Sequence, residues 1–402
     1  MKEKVCILGL GYIGLPTACL ISENSFDVCG IDVDEQVLKN IRNLNLDFNE
    51  PSLNSLLKKS LKSENLKVQN IPTYADYFLI CTPTPIIYNN NQAKPDLSFV
   101  FEAVDSILFF LKNNNTIIIE STIPVGTTKK IKKYVMEARP DLNRIFVAYC
   151  PERVLPGNIV FELKNNTRII GGVNKISTNK VAKFYQNFVL GEILYTTSKV
   201  AEICKLAENA FRDVNIGFAN ELSLICKDKN INVAEVINFT NKHPRVNILN
   251  PGIGVGGHCI PVDPWFLISE NYEKSELMRA AREVNTKKTT HIINDIEIQI
   301  ESFFKKNKQL PVVSFLGVSY KENSNDVRGA PAVQIIEKII KKLKKFYIVD
   351  PFVEKILNIK THNLEKAIEN SDIIFILVKH DNFSDIDIKI FDKTIFVDYT
   401  CS

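Results

Sequence analysis

Three glycines near the start of the chain have the spacing of a phosphate-binding turn. Gly9, Gly11 and Gly14 follow the apolar run 5–8 and open a helical pattern. In that context the first glycine permits a tight turn, the second admits a pyrophosphate and the third lets strand and helix pack closely. Asp32 closes the next apolar run, where a carboxylate would bind an adenosine ribose and repel a 2′-phosphate. The pattern predicts NAD rather than NADP; the alternative is a glycine-rich turn with a capping Asp.

Cys259 lies in a glycine-rich loop that also carries a carboxylate. Residues 254–263 read Gly-Val-Gly-Gly-His-Cys-Ile-Pro-Val-Asp, so Asp263 follows the cysteine by four positions. Small residues leave room for a substrate, and a nearby cation or helix N-terminus would favour the thiolate. We therefore predict a nucleophile here. The other eight cysteines, mostly inside apolar runs, are interpreted as small core residues.

Lys205, Asn209 and Arg212 are spaced by four and three residues, so on a helix they share one face. A solvated helix face would explain the Lys and the Arg, but Asn is a poor mid-helix residue unless its side chain is used. His243 and Arg245 stand just before the cysteine loop. They are placed to contact an anionic ligand, although the His-Pro dipeptide is equally typical of a turn.

Further polar residues follow the predicted strands, at the edge where open α/β sheets bind ligands. Each taken singly is more often a turn or cap residue. In chain order these residues are Thr84, Thr122, Glu152, Arg153, Lys321 and Arg328. Lys321 and Arg328 would reach phosphates or cap local structure.

The elements that position these residues alternate between strand and helix over much of the chain. Strands are predicted at 5–8, 27–31, 77–81, 116–120 and 145–148, and again at 312–316, 346–349 and 373–378. Helices are predicted from about 197 to 237 and at 331–344. Between them, helical segments follow the loop 243–263 and continue to about 304. Alternation of this kind indicates parallel, doubly wound sheets.

The predicted fold is therefore α/β, with two Rossmann-like doubly wound domains joined by a central helical dimerisation domain. The domains are 1–196, 197–304 with the cysteine loop, and 305–402. Residues 75–81 resemble 371–377, a weak internal repeat, but the glycine fingerprint is not repeated after 312–316. The second sheet is thus expected to bind something else, or to bind differently. An apolar helix face outside both sheets predicts a homodimer or a higher homo-oligomer.

Composition excludes several classes of protein. A chain of 402 residues with 45% hydrophobic and 24% charged residues is not disordered, collagen-like or a multi-span membrane protein. Lys and Arg number 50 against 46 Asp and Glu, which is too balanced to predict a nucleic-acid or membrane partner. Nine scattered cysteines with no Cys-x-x-Cys pair predict no metal site and a cytoplasmic location. Residues 5–22 superficially resemble a signal peptide, but their glycines and Pro16 favour a strand, a turn and a helix start.

Taken together, the motifs resemble those of the UDP-glucose/GDP-mannose dehydrogenase family over essentially the whole chain. The matching segments are Gly-Leu-Gly-Tyr-Ile-Gly-Leu-Pro (9–16), Ser-Thr-Ile-Pro-Val-Gly-Thr (121–127), Pro-Glu-Arg (151–153), Lys-Leu-Ala-Glu-Asn (205–209), the cysteine loop, and Lys321 with Asp-Val-Arg (326–328). Segments 247–252 and 262–267 look most like the branch of the family that acts on UDP-N-acetyl-D-mannosamine.

The resemblance implies oxidation of a sugar C6 alcohol to a carboxylate with two NAD, for surface polysaccharide biosynthesis. Cys259 would form a thiohemiacetal and then a thioester. Lys205 and Asn209 would stabilise the oxyanion, while Asp263, Thr122 and Glu152 would position water and move protons, with the identity of the base left open.

The same resemblance implies the ligand contacts, with NAD on the first domain and the UDP-sugar between the central and last domains. For NAD they are Gly9, Gly11, Tyr12, Ile13, Gly14, Asp32, Thr84, Thr122 and Arg328. For the UDP-sugar they are Arg153, Val154, Lys205, Asn209, Arg212, His243, Arg245, Gly256, Tyr320 and Lys321.

Other activities are possible on the same sequence features. UDP-N-acetylglucosamine or UDP-glucose would keep the mechanism and change the substrate. A 6-phosphogluconate-type or short hydroxyacid dehydrogenase shares the nucleotide fold and helical middle but needs no cysteine nucleophile. A non-catalytic nucleotide-sugar-binding protein would bind without forming NADH. Neither of the last two explains Cys259, Lys205 and Asn209 together.

Overall fold

The structure is a computed structural model that describes residues 2–46, 50, 52–89, 92–154, 157–383 and 394–400. The chain divides into two compact units. The first comprises residues 1–208 with 265–270, and the second comprises 209–264 with 271–402.

The centre of the first unit is an eight-stranded sheet. Its strands are β1 (Lys4–Leu8), β2 (Asp27–Ile31), β3 (Leu66–Gln69), β4 (Tyr77–Ile80), β7 (Thr116–Ile119), β8 (Phe146–Tyr149), β9 (Arg168–Gly172) and β10 (Ile193–Thr197). They lie in the order β10-β9-β8-β7-β4-β1-β2-β3. The strands β5 (Ile86–Asn89) and β6 (Gln92–Pro95) form a separate antiparallel pair.

The strands of this sheet are buried on both faces because helices cover both faces. On β1, Val5 and Ile7 belong to one apolar cluster, while Cys6 and Leu8 belong to another on the opposite face. The helices are α1 (Gly14–Ser22), α2 (Glu35–Arg42), α3 (Leu53–Lys62), α4 (Ser98–Ile107), α5 (Thr127–Ala138), α6 (Ile159–Asn165) and α7 (Lys175–Tyr185).

A long helix, α8 (Ser198–Asp228), begins in the first unit and continues into the second. The short helix α10 (Pro264–Ile268) also crosses the division between the units. In the second unit, α9 (Val233–Thr240) follows α8, and α11 (Glu276–Asn307) is its second long helix.

The second unit contains a four-stranded parallel sheet in the order β12-β11-β15-β16. Its strands are β11 (Val313–Leu316), β12 (Phe346–Val349), β15 (Ile373–Ile376) and β16 (Ile395–Asp398), with a small antiparallel pair β13 (Lys355–Ile356) and β14 (Ile359–Lys360). Helices α12 (Pro331–Ile339) and α13 (Leu364–Glu369) pack beside it.

The predicted fold class, two doubly wound α/β sheets with helices between them in sequence, is confirmed. One detail of the prediction is wrong, because β9 runs antiparallel to β8. Sequence reasoning also missed β3, β5, β6, β9, β10, β13, β14 and β16. The strand β9 carries a buried Arg168 and two glycines, and β10 is largely exposed, so neither has the continuous apolar run that marks a buried parallel strand. The interpretation of 5–22 as strand, turn and helix is confirmed by β1 and α1.

The cysteines outside the cysteine loop (254–263) fall into two groups. Cys6, Cys19, Cys150 and Cys226 are buried as predicted, whereas Cys29, Cys81 and Cys204 are only partly buried. Cys401 lies outside the described residues. Among those residues, no helix is both long and apolar enough to cross a membrane.

Candidate active site

The glycine turn leaves open space at one of its three glycines. Gly9 has φ +91°, and a Cβ on Gly14 would lie 1.8 Å from the Gly9 carbonyl oxygen, so these two glycines are required by close packing. A Cβ on Gly11 would meet nothing within 4 Å. The backbone of Gly11 therefore has the free approach that a pyrophosphate needs beside the start of α1.

Asp32 is half-buried at the end of β2 and faces this turn. Its Oδ2 accepts a hydrogen bond from the Leu10 backbone N–H (2.9 Å), and its Oδ1 accepts one from the Asp34 N–H (3.0 Å). Tyr12 packs against the core of the first unit, and Ile13 is the N-cap residue of α1. The carboxylate is thus held in place and still partly accessible, as a ribose contact requires.

Glu152 and Lys205 form a buried ion pair in the first unit. The Lys205 Nζ donates to Glu152 Oε1 (2.8 Å) and to the Glu152 backbone carbonyl (3.0 Å), and the two side chains are only 7% and 15% exposed. Burial alone would raise the pKa of the Glu152 carboxyl, but the Lys205 ammonium holds that pKa below its ordinary value. The pair has the charges needed to stabilise an oxyanion and to accept a proton. Thr122 is half-buried just after β7.

The residues after Glu152 are already engaged within the first unit. Arg153 forms an ion pair with Glu208 (2.8 Å) and donates to the Thr167 carbonyl (3.0 Å). The Val154 N–H donates to Glu152 Oε2 (3.1 Å), and Val154 packs against the core. Thr84 is half-buried in the segment after β4.

A buried polar cluster beside this pair was missed by sequence reasoning. Glu120 accepts hydrogen bonds from the Tyr185 hydroxyl (2.5 Å) and from the Cys81 thiol (3.4 Å), and Arg168 lies 4.0 Å away. Burial raises the pKa of the Glu120 carboxyl, and the Arg168 charge opposes that rise. The available signal was a carboxylate placed directly after a strand made almost entirely of isoleucine.

Asn209 and Asp263 meet in the second unit. The Asn209 Nδ2 donates to Asp263 Oδ2 (2.6 Å), and both residues are buried. The backbone N–H of Asp263 donates to the Cys259 carbonyl (2.8 Å), so the carboxylate follows the half-buried cysteine by one tight turn. The burial of Lys205 and Asn209 contradicts the alternative that these residues lie on a solvated helix face, whereas Arg212 is exposed.

The glycines of the cysteine loop serve packing rather than open space, which corrects the expectation that they leave room for substrate. A Cβ on Gly256 would lie 2.7 Å from Pro331, and one on Gly257 would lie 3.0 Å from the Tyr320 ring. A Cβ on Gly254 would lie 2.2 Å from the Thr289 hydroxyl oxygen. Close approach of this loop to the helix and loop beneath it therefore excludes larger side chains.

The remaining predicted ligand contacts are spread over the second unit. His243 and Arg245 are exposed in a turn in which the Val246 N–H donates to the His243 carbonyl (3.0 Å). Lys321 is half-buried. Arg328 makes a bidentate ion pair with Asp326 (2.9 and 2.6 Å), and this pair fixes the orientation of the Arg328 guanidinium.

Comparison with known proteins gives the family. Models of the UDP-glucose/GDP-mannose dehydrogenase family match residues 3–189 (NAD binding domain), 199–287 (central domain) and 314–400 (UDP binding domain). The chain belongs to this family. It is therefore a dehydrogenase with an NAD-binding domain at its start and a UDP-binding domain at its end.

Individual relatives carry more specific names. The chain is 43% identical over 385 residues to the UDP-N-acetyl-D-mannosamine dehydrogenase of Methanocaldococcus jannaschii, covering 96% of this chain and 87% of that one. It is 38% identical over 410 residues to the NDP-N-acetyl-D-galactosaminuronic acid dehydrogenase of Ralstonia nicotianae, covering 98% and 95%. The solved UDP-D-ManNAc dehydrogenase of Pyrococcus horikoshii superposes with a TM-score of 0.90 at 36% identity, covering 99% and 95%.

Proposed function

We propose that this dehydrogenase oxidises UDP-N-acetyl-D-mannosamine at C6 to the uronate. The observation that carries the proposal is the pairing of Asn209 with Asp263 one turn after Cys259. Relatives of that name match nearly the full length of the chain, which supports the choice of sugar. Domains 1–196, 197–304 and 305–402 are proposed to bind NAD, to carry the nucleophile and to bind UDP, respectively.

The first sheet is proposed to hold NAD. Gly9, Gly11 and Gly14 form a turn with space for the pyrophosphate, and Asp32 presents a partly accessible carboxylate for the ribose. Tyr12, Ile13, Thr84, Thr122 and Arg328 are proposed to complete the contacts. NAD, when bound, accepts one hydride in each of two oxidations.

The nucleophile is proposed to be Cys259. The sugar C6 alcohol loses a hydride and a proton to give an aldehyde, and the Cys259 thiolate adds to the aldehyde carbon to form a thiohemiacetal. Loss of a second hydride and proton leaves a thioester. Water then cleaves the carbon–sulfur bond, which releases the carboxylate and regenerates Cys259.

Charge on the reacting oxygen is proposed to be stabilised by Lys205 and Asn209. The Glu152 carboxylate holds the Lys205 ammonium by accepting from its Nζ, and Asp263 holds the Asn209 amide by accepting from its Nδ2. Glu152 and Asp263, with the Thr122 hydroxyl, are the groups proposed to orient water and accept protons.

The UDP-sugar is proposed to contact Tyr320, Lys321 and Gly256 near the second sheet. Cationic side chains would neutralise its diphosphate; these are Arg153, Arg212, His243 and Arg245, with Val154 beside them. Arg153 would have to share its guanidinium with Glu208.

The test counts NADH per sugar. Two NADH per UDP-N-acetylmannosamine are expected, against little or none with UDP-N-acetylglucosamine, UDP-glucose or UDP-N-acetylgalactosamine. Cys259→Ala should abolish this stoichiometry, and Cys204→Ala, at a half-buried cysteine without an assigned role, should keep it. One NADH per sugar, or turnover untouched by Cys259→Ala, would exclude the covalent route. Preference for another sugar would exclude the proposed substrate alone.

The chain is further proposed to form a homodimer in the cytoplasm through α8 and to serve surface polysaccharide biosynthesis. Phe211, Phe218 and Ile225 recur every seven residues along that helix and are 66%, 53% and 50% exposed in the single chain. A stripe of this period packs well against a second helix. Light scattering should give a dimer mass that Phe218→Glu reduces to a monomer, and a monomeric wild-type chain would contradict the proposal.

A further inference from the structure

A buried histidine in the second unit holds a loop that the proposed function assigns to the nucleotide sugar. His380 follows β15, is fully buried and contacts the rings of Phe352 and Phe383 edge to face (centroids 5.2 and 5.5 Å). Its Nε2 is 3.0 Å from Asp350 Oδ2. No catalytic step proposed above uses this residue.

The hydrogen bonds of His380 define its tautomer. The Asn323 backbone N–H donates to Nδ1 (2.9 Å), so Nδ1 is the unprotonated acceptor nitrogen. The proton therefore lies on Nε2, which donates it to the Asp350 carboxylate. That carboxylate is itself fixed by backbone N–H groups of Val318 (2.8 Å) and Phe352 (2.9 Å). His380 thus donates to a rigid support through Nε2 and accepts from the loop backbone through Nδ1.

The loop contacted by Nδ1 runs over residues 319–326. Asn323 has φ +53°, a left-handed conformation that Asn tolerates better than most residues, and its Oδ1 accepts from the Asp381 N–H (3.0 Å). Ser319 Oγ lies 3.4 Å from His380 Nε2 and donates to the Lys321 carbonyl (2.7 Å). Two hydrogen bonds therefore attach the loop to residues 380 and 381: the Asn323 N–H donates to His380 Nδ1, and the Asp381 N–H donates to Asn323 Oδ1.

This loop carries Tyr320 and Lys321 and also supports the cysteine loop. The Tyr320 ring lies where a Cβ on Gly257 would be only 3.0 Å away, and the Gly257 N–H donates to the Arg328 carbonyl (3.1 Å). A displacement of residues 319–326 would move the proposed UDP contacts directly and the loop of Cys259 through Gly257.

We propose that His380 is a positioning residue for the nucleotide-sugar site, acting through its Nδ1 acceptor on the Asn323 N–H. The proposal rests on the assignment of UDP to the second sheet. It separates the two nitrogens of the ring, because Nε2 anchors the histidine and Nδ1 holds the loop.

Two amide substitutions distinguish those nitrogens. In His380→Asn the side-chain oxygen can take the place of Nδ1 and accept from Asn323, whereas in His380→Gln the amide nitrogen can take the place of Nε2 and donate to Asp350. The probes are UDP and NAD, each titrated calorimetrically into the full chain. His380→Gln should weaken UDP binding about tenfold, and His380→Asn should stay within about threefold of wild type. NAD binding should be unchanged in both.

Each outcome decides the proposal. Equal UDP affinity in His380→Gln and wild type, or equal loss in both variants, would overturn it, since a purely packing role does not separate the nitrogens. If neither variant folds, amide hydrogen exchange of the wild-type chain tests the same contact: the Asn323 N–H should be protected, and more strongly so with UDP bound, whereas exchange at the rate of an open amide in both states would overturn the proposal. Failure of the wild-type chain to bind UDP would instead contradict the proposed function.

Discussion

The two sheets share one backbone device and use it differently. Gly9 after β1 and Gly317 after β11 both have positive φ, and their N–H groups donate to Ile31 and Val349 at 2.8 and 2.9 Å. The residue after each glycine donates to an aspartate at the end of the neighbouring strand, Asp32 or Asp350. In the first sheet that carboxylate is partly accessible, and in the second it is fully buried.

Each glycine-bearing strand has a second neighbour, β4 beside β1 and β15 beside β11. The two sheets differ just after that second neighbour. Cys81 comes directly after β4 in the first sheet, whereas in the second sheet β15 leads to His380, which covers Asp350. A carboxylate that already accepts from His380 and three backbone N–H groups has no accessible position for a ribose hydroxyl. A repeated strand–glycine–aspartate unit therefore leaves its carboxylate accessible for the proposed ribose contact in one copy and uses it as structural support in the other.

The largest effect is expected at the glycine of the second sheet. A Cβ on Gly317 would lie 2.2 Å from the Val378 carbonyl oxygen, at φ +83°. Gly317→Ala should therefore lower the free energy of unfolding of the second unit by about 3 kcal/mol, measured by denaturant titration. Gly252→Ala is the control, because a Cβ there would have only one neighbour, at 3.8 Å. Equal stability of the two variants would show that the second sheet does not depend on this turn.

The next largest effect is expected at the buried aspartate. Asp350→Asn replaces one acceptor oxygen by an NH₂ group, which must face either the Val318 N–H or those of Phe352 and Val353. We expect a loss of about 2 kcal/mol in the free energy of unfolding. Asp32→Asn makes the same exchange at a partly accessible carboxyl, where water can compensate, and should cost under about 1 kcal/mol. A larger loss at Asp32 would reverse the comparison.

A smaller effect, confined to binding, is expected at Gly11. Because a Cβ there meets nothing in the chain, Gly11→Ala should leave the thermal midpoint unchanged. The methyl group would occupy the approach proposed for the pyrophosphate, so the Kd for NAD should rise about tenfold, roughly 1.4 kcal/mol. Calorimetry with NAD measures this, and UDP serves as the control ligand. Unchanged NAD affinity would show that the open space at Gly11 is not used.

The smallest effect is expected for the core thiols of the first unit. Burial raises the pKa of Cys6, Cys19 and Cys150 to about 12, because it disfavours the thiolate. At pH 8 only ~0.01% of such a thiol is ionised, and that fraction grows only as the pH rises toward 12. Iodoacetamide at pH 8 should therefore leave these peptides unmodified while it labels Cys259, as followed by mass spectrometry. Rapid labelling of Cys150 would mean that the first sheet opens in solution.

Much of the fold and of the candidate site could be predicted from the sequence, and particular residues show why. The turn at Gly9, Gly11 and Gly14 is recognisable because glycine is needed where the backbone turns or packs closely. The central strands were found because a strand buried on both faces is continuously apolar. The partly exposed β10 and the reversal of β9 were missed because neither leaves such a run, and strand direction depends on pairing between distant segments.

The sequence by itself determined the fold class, the glycine turn with Asp32, and the residue types of the proposed active site, since local spacing and residue chemistry are sufficient for these. Only the tertiary structure decided that Lys205 is paired with Glu152 and Asn209 with Asp263, that the loop glycines are needed for packing against Tyr320 and Pro331, and that Asp350 is covered by His380. These contacts join residues from 30 to more than 70 positions apart. The burial that gives them their energetic weight arises when the sheets and helices pack, and no local pattern records it.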